Sequence, residues 1–282
     1  MRHLFLTAGL FLLACIVPNK SCGQPNPGAE YVSVNLISEF NTVPAGYRFF
    51  TGVHFEIEEG WHIYWRNPGD SGIPTDITWD LPDGFRVDRL QWPYPETFRE
   101  GHLVTHGYKL ETVLLQPLFA ANPPEGENMI RARVDYLVCK ESCLPGFAEV
   151  EMPIQVDDIQ IRNSSAISLI AQFRDKVPGF IPTTGVSASV NDDVITLTIP
   201  GRFLRDDPDL DRIHFFGEED DLVESSAEQV KRITSDGRLE MQLDVSRYRS
   251  QPVESVNGVI VNQNGWRNTS SPNAIRISVN VN

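Results

Sequence analysis

Apolar residues recur at alternate positions or in short runs through most of the chain, and Gly, Pro, Asp and Asn punctuate them. Tyr31 to Ile37, Tyr47 to Ile57, Trp61 to Trp65, Ile77 to Leu81, Thr112 to Phe119, Ile130 to Val138 and Phe147 to Val156 carry this pattern and predict short strands. Evenly spaced strands without helical periods between them predict an immunoglobulin-like antiparallel sandwich over residues 28–157 and disfavour a parallel α/β sheet. In an extended Trp61 to Trp65 segment, Trp61, Ile63 and Trp65 share one face and Tyr64 points the other way. The stretch 158–167 is polar and reads as a linker. Ile167, Ile170, Ala171 and Phe173 then recur at helical spacing up to Val177-Pro178, predicting one short amphipathic helix. Strand patterns resume at Val186 to Val190, Val194 to Ile199, Arg212 to Phe216, Leu239 to Val245, Val256 to Val261 and Ile275 to Val281. The expected architecture is all-β: two immunoglobulin-like antiparallel β-sandwich domains, 28–157 and 168–282, with one short linking helix. No strong internal repeat relates the halves, so any likeness between them lies in the fold.

The length of 282 residues fits two such domains of roughly 150 residues each. A net charge of -14, scattered among the strands, describes a solvated acidic surface and excludes a nucleic-acid groove, which needs clustered Lys and Arg. Arg2, the apolar run Leu4 to Ala14 and Ser21-Cys22-Gly23 read as a secretory signal over residues 1–23, so the mature chain is expected to begin at Gln24. The run is shorter than the ~20 residues that span a bilayer, and no later segment is apolar enough. Leu12-Leu13-Ala14-Cys15 resembles a bacterial lipobox, although Leu13 is larger than usual there, so a lipid anchor at Cys15 is the one membrane attachment expected. Either processing exports the protein to a bacterial periplasm or cell envelope.

Simple secretion leaves Cys139 and Cys143 as the only cysteine pair, in an oxidising compartment. In a straight strand their Cα atoms stand ~13 Å apart, beyond disulfide reach, so a bridge requires a turn at Lys140-Glu141-Ser142. Closing so small a ring restrains the unfolded chain by about 2 kcal/mol or less. Three readings stay open: a structural disulfide, a redox pair in exchange with another protein, and a Cu(I) site completed by His62, His102 or His106. Lys140 favours a thiolate and Glu141 opposes one. Among the aromatics, Trp61, Tyr64, Trp65, Trp92 and Phe98 serve either as a shield and docking surface or as core, core being the better reading for the tryptophans. Asp70 and Glu96 are proton carriers or simple turn formers. The second half holds no Cys and a single His214 beside Phe215 and Phe216, a core position more than a ligand.

Gly60-Trp61-His62-Ile63-Tyr64-Trp65-Arg66-Asn67-Pro68-Gly69-Asp70-Ser71-Gly72-Ile73-Pro74, Trp92-Pro93-Tyr94-Pro95, His106-Gly107-Tyr108 and the cysteine pair occur in this order. Together they resemble the amino-terminal periplasmic domain of the DsbD and ScsB thiol:disulfide interchange proteins. The second half is similar to the further β domain of the ScsB branch. The resemblance implies a thiol-disulfide oxidoreductase, without a cofactor, in which Cys139 and Cys143 relay electrons from a membrane-embedded thiol reductase to thioredoxin-like exported proteins. It also implies an aromatic cap over the pair. Pro95 to Phe98, through to Tyr108, is the candidate segment, with Phe98, Tyr108, Tyr64 and Trp65 as shield or accessory residues. Family members usually continue into a transmembrane electron channel, whereas this sequence stops at Asn282, so a separate membrane partner is expected. The alternative is an envelope binding module, Cu(I)-holding or adaptor, with a structural or metal-binding pair.

Overall fold

The computed structural model describes residues 24–269 and 271–281; the signal segment and the proposed anchor at Cys15 lie outside the described residues. The first half contains β1 (Val32–Ser38), β2 (Phe40–Val43), β3 (Tyr47–Ile57), β4 (His62–Gly69), β5 (Asp76–Asp80), β6 (Phe85–Val87), β7 (Glu96–Glu100), β8 (Leu103–Lys109), β9 (Glu111–Ala120), β10 (Gly126–Cys139), β11 (Cys143–Val156) and β12 (Ile161–Arg162). One sheet runs β1-β3-β9-β6 and the other β12-β2-β11-β10-β4-β8-β7, with β5 also on β10. Their inward residues close an immunoglobulin-like sandwich around Val53, Phe55, Ile63, Leu114, Val134 and Val138, extended by Phe49, Leu118, Ile130 and Ile154. Burying a side chain of this size stabilises the fold by about 1.5–3 kcal/mol.

Every strand expected from the pattern is present, and β2, β6, β7, β8 and β12 are additional. The segment expected to be a cap loop, Pro95 to Tyr108, is a hairpin instead: β7 and β8 pair from Glu96↔Gly107 to Glu100↔Leu103. Its first strand hides from an apolar pattern because β7 ends its sheet, and an edge strand can carry charges such as Glu96, Arg99 and Glu100. The polar connection contributes β12, which pairs with β2. Helix α1 (Ile167–Arg174) stops short of Val177 and buries Ile170 and Phe173 on Val113 and Leu115 of β9.

The second half holds β13 (Gly179–Phe180), β14 (Ser187–Asn191), β15 (Val194–Ile199), β16 (Ile213–Gly217), β17 (Val230–Ile233), β18 (Leu239–Asp244), β19 (Ser255–Asn262) and β20 (Ala274–Asn280). Two four-stranded sheets, β13-β20-β19-β16 and β14-β15-β18-β17, enclose Ile195, Leu197, Phe215, Met241, Ile260 and Trp266. Among the described residues no helix is long and apolar enough to cross a membrane.

The halves meet along a packed seam. Phe216, Val259, Val261 and Ala274 join the first half's core, and Trp65 meets Phe216 edge-on at 6.1 Å. The Asn67 amide donates to the carbonyls of Gly217 and Glu219, both at 2.9 Å. Arg66 and Arg276 close on Glu218 at 3.0 and 2.6 Å. His106 and His214 face each other at 6.5 Å between ring centroids, each against Phe216. His214 is thus a packed seam residue, in line with its apolar strand. Burial pulls His106 down to about 4, opposed by a backbone hydrogen bond at Thr105 and helped by Arg99. Burial, then His106, Lys231 and Arg99, pull His214 down to about 3.

Unfolded histidine titrates near pH 6.5, so below that value the unfolded chain binds protons that the folded seam refuses, and stability falls as pH falls. The expected slope is about 1.4 kcal/mol per pH unit for each histidine between pH 6.5 and roughly 4. Urea unfolding across this range checks it against the double variant His106→Gln, His214→Gln, which should flatten the profile. An equal slope in both proteins would assign the acid sensitivity elsewhere.

Candidate active site

Strands β10 and β11 pair without a break from Gly126↔Val156 to Cys139↔Cys143, so the hairpin ends at the two cysteines. Their Cα atoms lie 4.2 Å apart and a disulfide joins them. Lys140 N–H donates to the Ser142 carbonyl at 3.2 Å across the three-residue turn expected from the sequence. The two sulfurs differ in environment: Cys139 is 1% exposed, whereas Cys143 is exposed on the outer side of the turn.

Strand β4 forms the other wall. It pairs with the end of β10, His62 opposite Cys139 and Ile63 opposite Val138. Trp61, Ile63 and Trp65 enter the core as the strand period requires. His62 and Tyr64 take the opposite face, where the cysteines lie. The Tyr64 hydroxyl donates to Cys139 Sγ at 2.9 Å and stands 3.6 Å from Cys143 Sγ. Burial, then the charge of Glu100, push Tyr64 up to about 12, so it remains a protonated donor through the neutral range. Burial lowers His62, which stays a neutral ring, with Nε2 lacking a hydrogen-bond partner. Phe98 of β7 stacks on His62 at 4.4 Å, and His62 meets Tyr64 edge-on at 5.2 Å.

Two glycines make this closeness possible. A Cβ on Gly107 would stand 1.9 Å from the Ile63 carbonyl, so β8 could not pair with β4. Gly72, at φ +116°, passes so near the Tyr64 ring that a Cβ would come within 2.3 Å of it. The loop after β4 thereby covers the tyrosine that reaches the sulfurs.

Of the sequence-derived shield residues, the structure brings Tyr64 to the sulfurs and stacks Phe98 on His62, whose Cα is the partner of Cys139. Trp65 and Tyr108 are elsewhere. Trp65 packs on the seam, and Tyr108 is a core residue whose hydroxyl donates to the Pro93 carbonyl at 2.7 Å. Asp70 accepts from Val104 N–H at 2.8 Å as a turn former, and Glu96 pairs with Lys109 at 2.7 Å. The Lys140 side chain lies over Gly60. For a copper site, His102 is exposed in the β7–β8 turn, and His106 belongs to the seam, which leaves His62 alone beside the pair. Among the described residues, no group of three or more His, Cys, Asp and Glu side chains is placed to hold a metal ion. His62 as the base on which Phe98 rests, and Glu100 near Tyr64, were not read from the sequence in these roles. The signal for His62 was available, since it lies two residues before Tyr64 and so shares its face.

An immunoglobulin-like sandwich that ends in a half-exposed disulfide, with a tyrosine hydroxyl on the buried sulfur, defines a thiol-disulfide exchange domain. Residues 30–154 match the family model "Thiol:disulfide interchange protein DsbD, N-terminal". Comparison with curated protein sequences gives no match. Among solved structures, the N-terminal periplasmic domain of ScsB from Proteus mirabilis superposes with a TM-score of 0.62 at 15% identity, over 92% of this chain and 97% of that one. The two share a fold across both halves. BcpA, the major pilin subunit of Bacillus cereus, is far more distant, with a TM-score of 0.27 at 11% identity over 88% of this chain and 70% of that one.

Removing the hydroxyl in Tyr64→Phe should stabilise the disulfide relative to the dithiol, because a donor to sulfur favours the thiolate more than the bridged form. One hydrogen bond to a charged group, about 1.5–3 kcal/mol, corresponds to a potential more negative by roughly 30–60 mV. Equilibration against glutathione measures it, and an unchanged potential would remove Tyr64 from the redox chemistry. Phe98→Ala should speed reduction of the disulfide by dithiothreitol by on the order of tenfold through greater access. Stopped-flow rates on the two proteins decide it.

Proposed function

We propose that this protein is an exported dithiol-disulfide relay of the bacterial periplasm. It takes electrons from a membrane-embedded thiol reductase and gives them to thioredoxin-like exported proteins. The observation that carries this reading is the asymmetry of the pair, with Cys143 open to solvent and Cys139 buried beneath the Tyr64 hydroxyl. The DsbD amino-terminal match over residues 30–154 and the likeness to a periplasmic ScsB domain support it. Residues 1–23 act as the export signal, and Cys15 is the position of a lipid anchor if one is attached. Residues 28–157 form the reactive domain and 168–282 the domain that braces it.

In the reduced protein the Cys143 thiolate attacks one sulfur of a client disulfide. The client S–S bond breaks, its second sulfur leaves as a thiolate that takes up a proton, and a mixed disulfide forms. Cys139, deprotonated, then attacks Cys143 Sγ, releasing the client's first sulfur and closing the Cys139–Cys143 bond. Two electrons and two protons have passed to the client. The membrane reductase's dithiol restores the pair by the same exchange in reverse, entering at Cys143 because Cys139 is covered.

A relay requires a potential between about -180 and -270 mV, the range of exchange proteins, whereas an inert bridge lies below about -300 mV. Glutathione-equilibrated titration of the protein is expected to fall in the first range. Cys139→Ser should accumulate mixed disulfides with thioredoxin-like proteins in the envelope, because the resolving sulfur is gone. Cys143→Ser should trap few or none. A potential below -300 mV, or equal trapping by both variants, would sink the relay.

A further inference from the structure

A second feature of the molecule, which shares no lining residue with the disulfide site, has the chemistry of a binding site. A cavity of about 580 Å³ opens between the two halves, walled by β4, the 89–92 segment, the end of α1 and the second half's Glu218, Val259 and Arg276. In a chain of net charge -14, four arginines line it, Arg66, Arg89, Arg174 and Arg276, against the single carboxylate of Glu218. That carboxylate serves both Arg66 and Arg276 and so neutralises only one of them. Arg174 lies over the Phe50 ring at 5.3 Å and reaches Glu39 only at 3.6 Å. Arg89 is exposed, its neighbour Asp88 pairs with Arg48, and Arg89 makes no ion pair with a described residue.

Converging cations raise one another's free energy unless a counter-charge arrives. Burial, and the nearby charges of Arg276 and Arg89, draw Arg66 below its ordinary value despite Glu218. Trp65 and Trp92 supply flat apolar wall. A ligand that offers several oxygen acceptors would satisfy the guanidinium excess. The other large cavity along the seam, about 560 Å³, provides the contrast. There Lys109, Lys176 and Arg212 are matched by Glu96, Glu111 and Asp211, so it has no preference for charge.

We propose that the arginine-lined cleft binds a small organic anion carrying two or more carboxylate or phosphate groups. Its volume lies within the range of small-molecule pockets, and such pockets form preferentially between domains. Guanidinium forks recognise both kinds of oxyanion in the same bidentate geometry.

Calorimetric titration of the full chain with citrate, with pyrophosphate and with acetate, at constant ionic strength, tests the site. Saturable one-to-one binding of citrate or pyrophosphate is expected, and the tighter of the two identifies carboxylate or phosphate as the natural group. Acetate, with one charge, should bind at least about tenfold more weakly. Arg89→Gln, an exposed substitution outside the fold's ion pairs, should weaken the multivalent anion at least about tenfold, and Arg174→Gln should act in the same direction. The reduction potential of the disulfide should be the same in both variants. Absence of saturable binding by both multivalent anions, acetate binding as tightly as citrate, or wild-type affinity in both arginine variants would each overturn the proposal.

Discussion

The register of β4 between β10 and β8 is the constraint on which the rest of the molecule depends. A strand sends successive side chains to opposite faces, and a slip of one residue exchanges the faces entirely. Here Ile63 is 0% and Trp65 1% exposed, so a slip would turn both out of the core and lose several kcal/mol of burial. The hydrophobic effect, which knows nothing of sulfur, thereby fixes where the Tyr64 hydroxyl sits relative to Cys139. Gly107 permits the pairing by leaving room for the Ile63 carbonyl. The precision of a polar contact at the site is inherited from apolar packing on the reverse of the same strand.

The same strand carries the site's geometry to the second half. Trp65, Arg66 and Asn67, at the far end of β4, make the contacts to Phe216, Glu218 and the carbonyls around Gly217. The connection between the halves is pinned as well, since β12 pairs with β2, and Asn163 N–H donates to the Glu39 carbonyl at 2.9 Å. The buried ion group at the seam is weak evidence for added stability, because desolvation offsets much of its attraction. It does fix orientation, since a displaced Glu218 would leave two guanidinia without their carboxylate. A partner approaching Cys143 therefore meets one body, with the second half held in a set position behind the reactive strand.

Much of this architecture was legible in the sequence because burial writes a period into a strand. β1, β3, β10 and β11 turn one face to a core, and their alternating residues announce it, whereas β4 and β9 are buried on both faces and read as short apolar runs. β7 and β12 lie at the ends of their sheet, where solvent takes the outer face and the pattern fades into charge; β7 and β8, read as a loop, are the hairpin that brings Phe98 to His62. The cysteine turn was legible from chain geometry alone, since four residues cannot be bridged without one. Tyr64, Trp65, Phe98 and Tyr108 are the shield or accessory residues expected from the sequence; Tyr64 reaches a cysteine sulfur and Phe98 stacks on His62, but Trp65 and Tyr108 lie elsewhere. Strand parity sends Trp65 to the face opposite Tyr64. Tyr108 of β8 pairs with Ile63 of β4, and its hydroxyl is spent on the Pro93 carbonyl, a contact that no local pattern encodes. The seam was illegible for a related reason: His106 and His214 are 108 positions apart, and only tertiary packing makes them neighbours.

Chemical direction in the proposed relay follows from burial as much as from reactivity. Thiol-disulfide exchange depends on which sulfur is attacked and on how well the other leaves. Cys143 is exposed, so an incoming thiolate approaches there, and Cys139 is then the sulfur that must carry the departing charge. Burial alone would make Cys139 a poor leaving group, since an apolar site penalises a thiolate. The Tyr64 hydroxyl, protonated and already 2.9 Å from that sulfur, supplies the compensating donor without any movement of the backbone. Access and leaving-group stabilisation thus select the same bond polarity, and the order of events at the pair is set before a partner arrives.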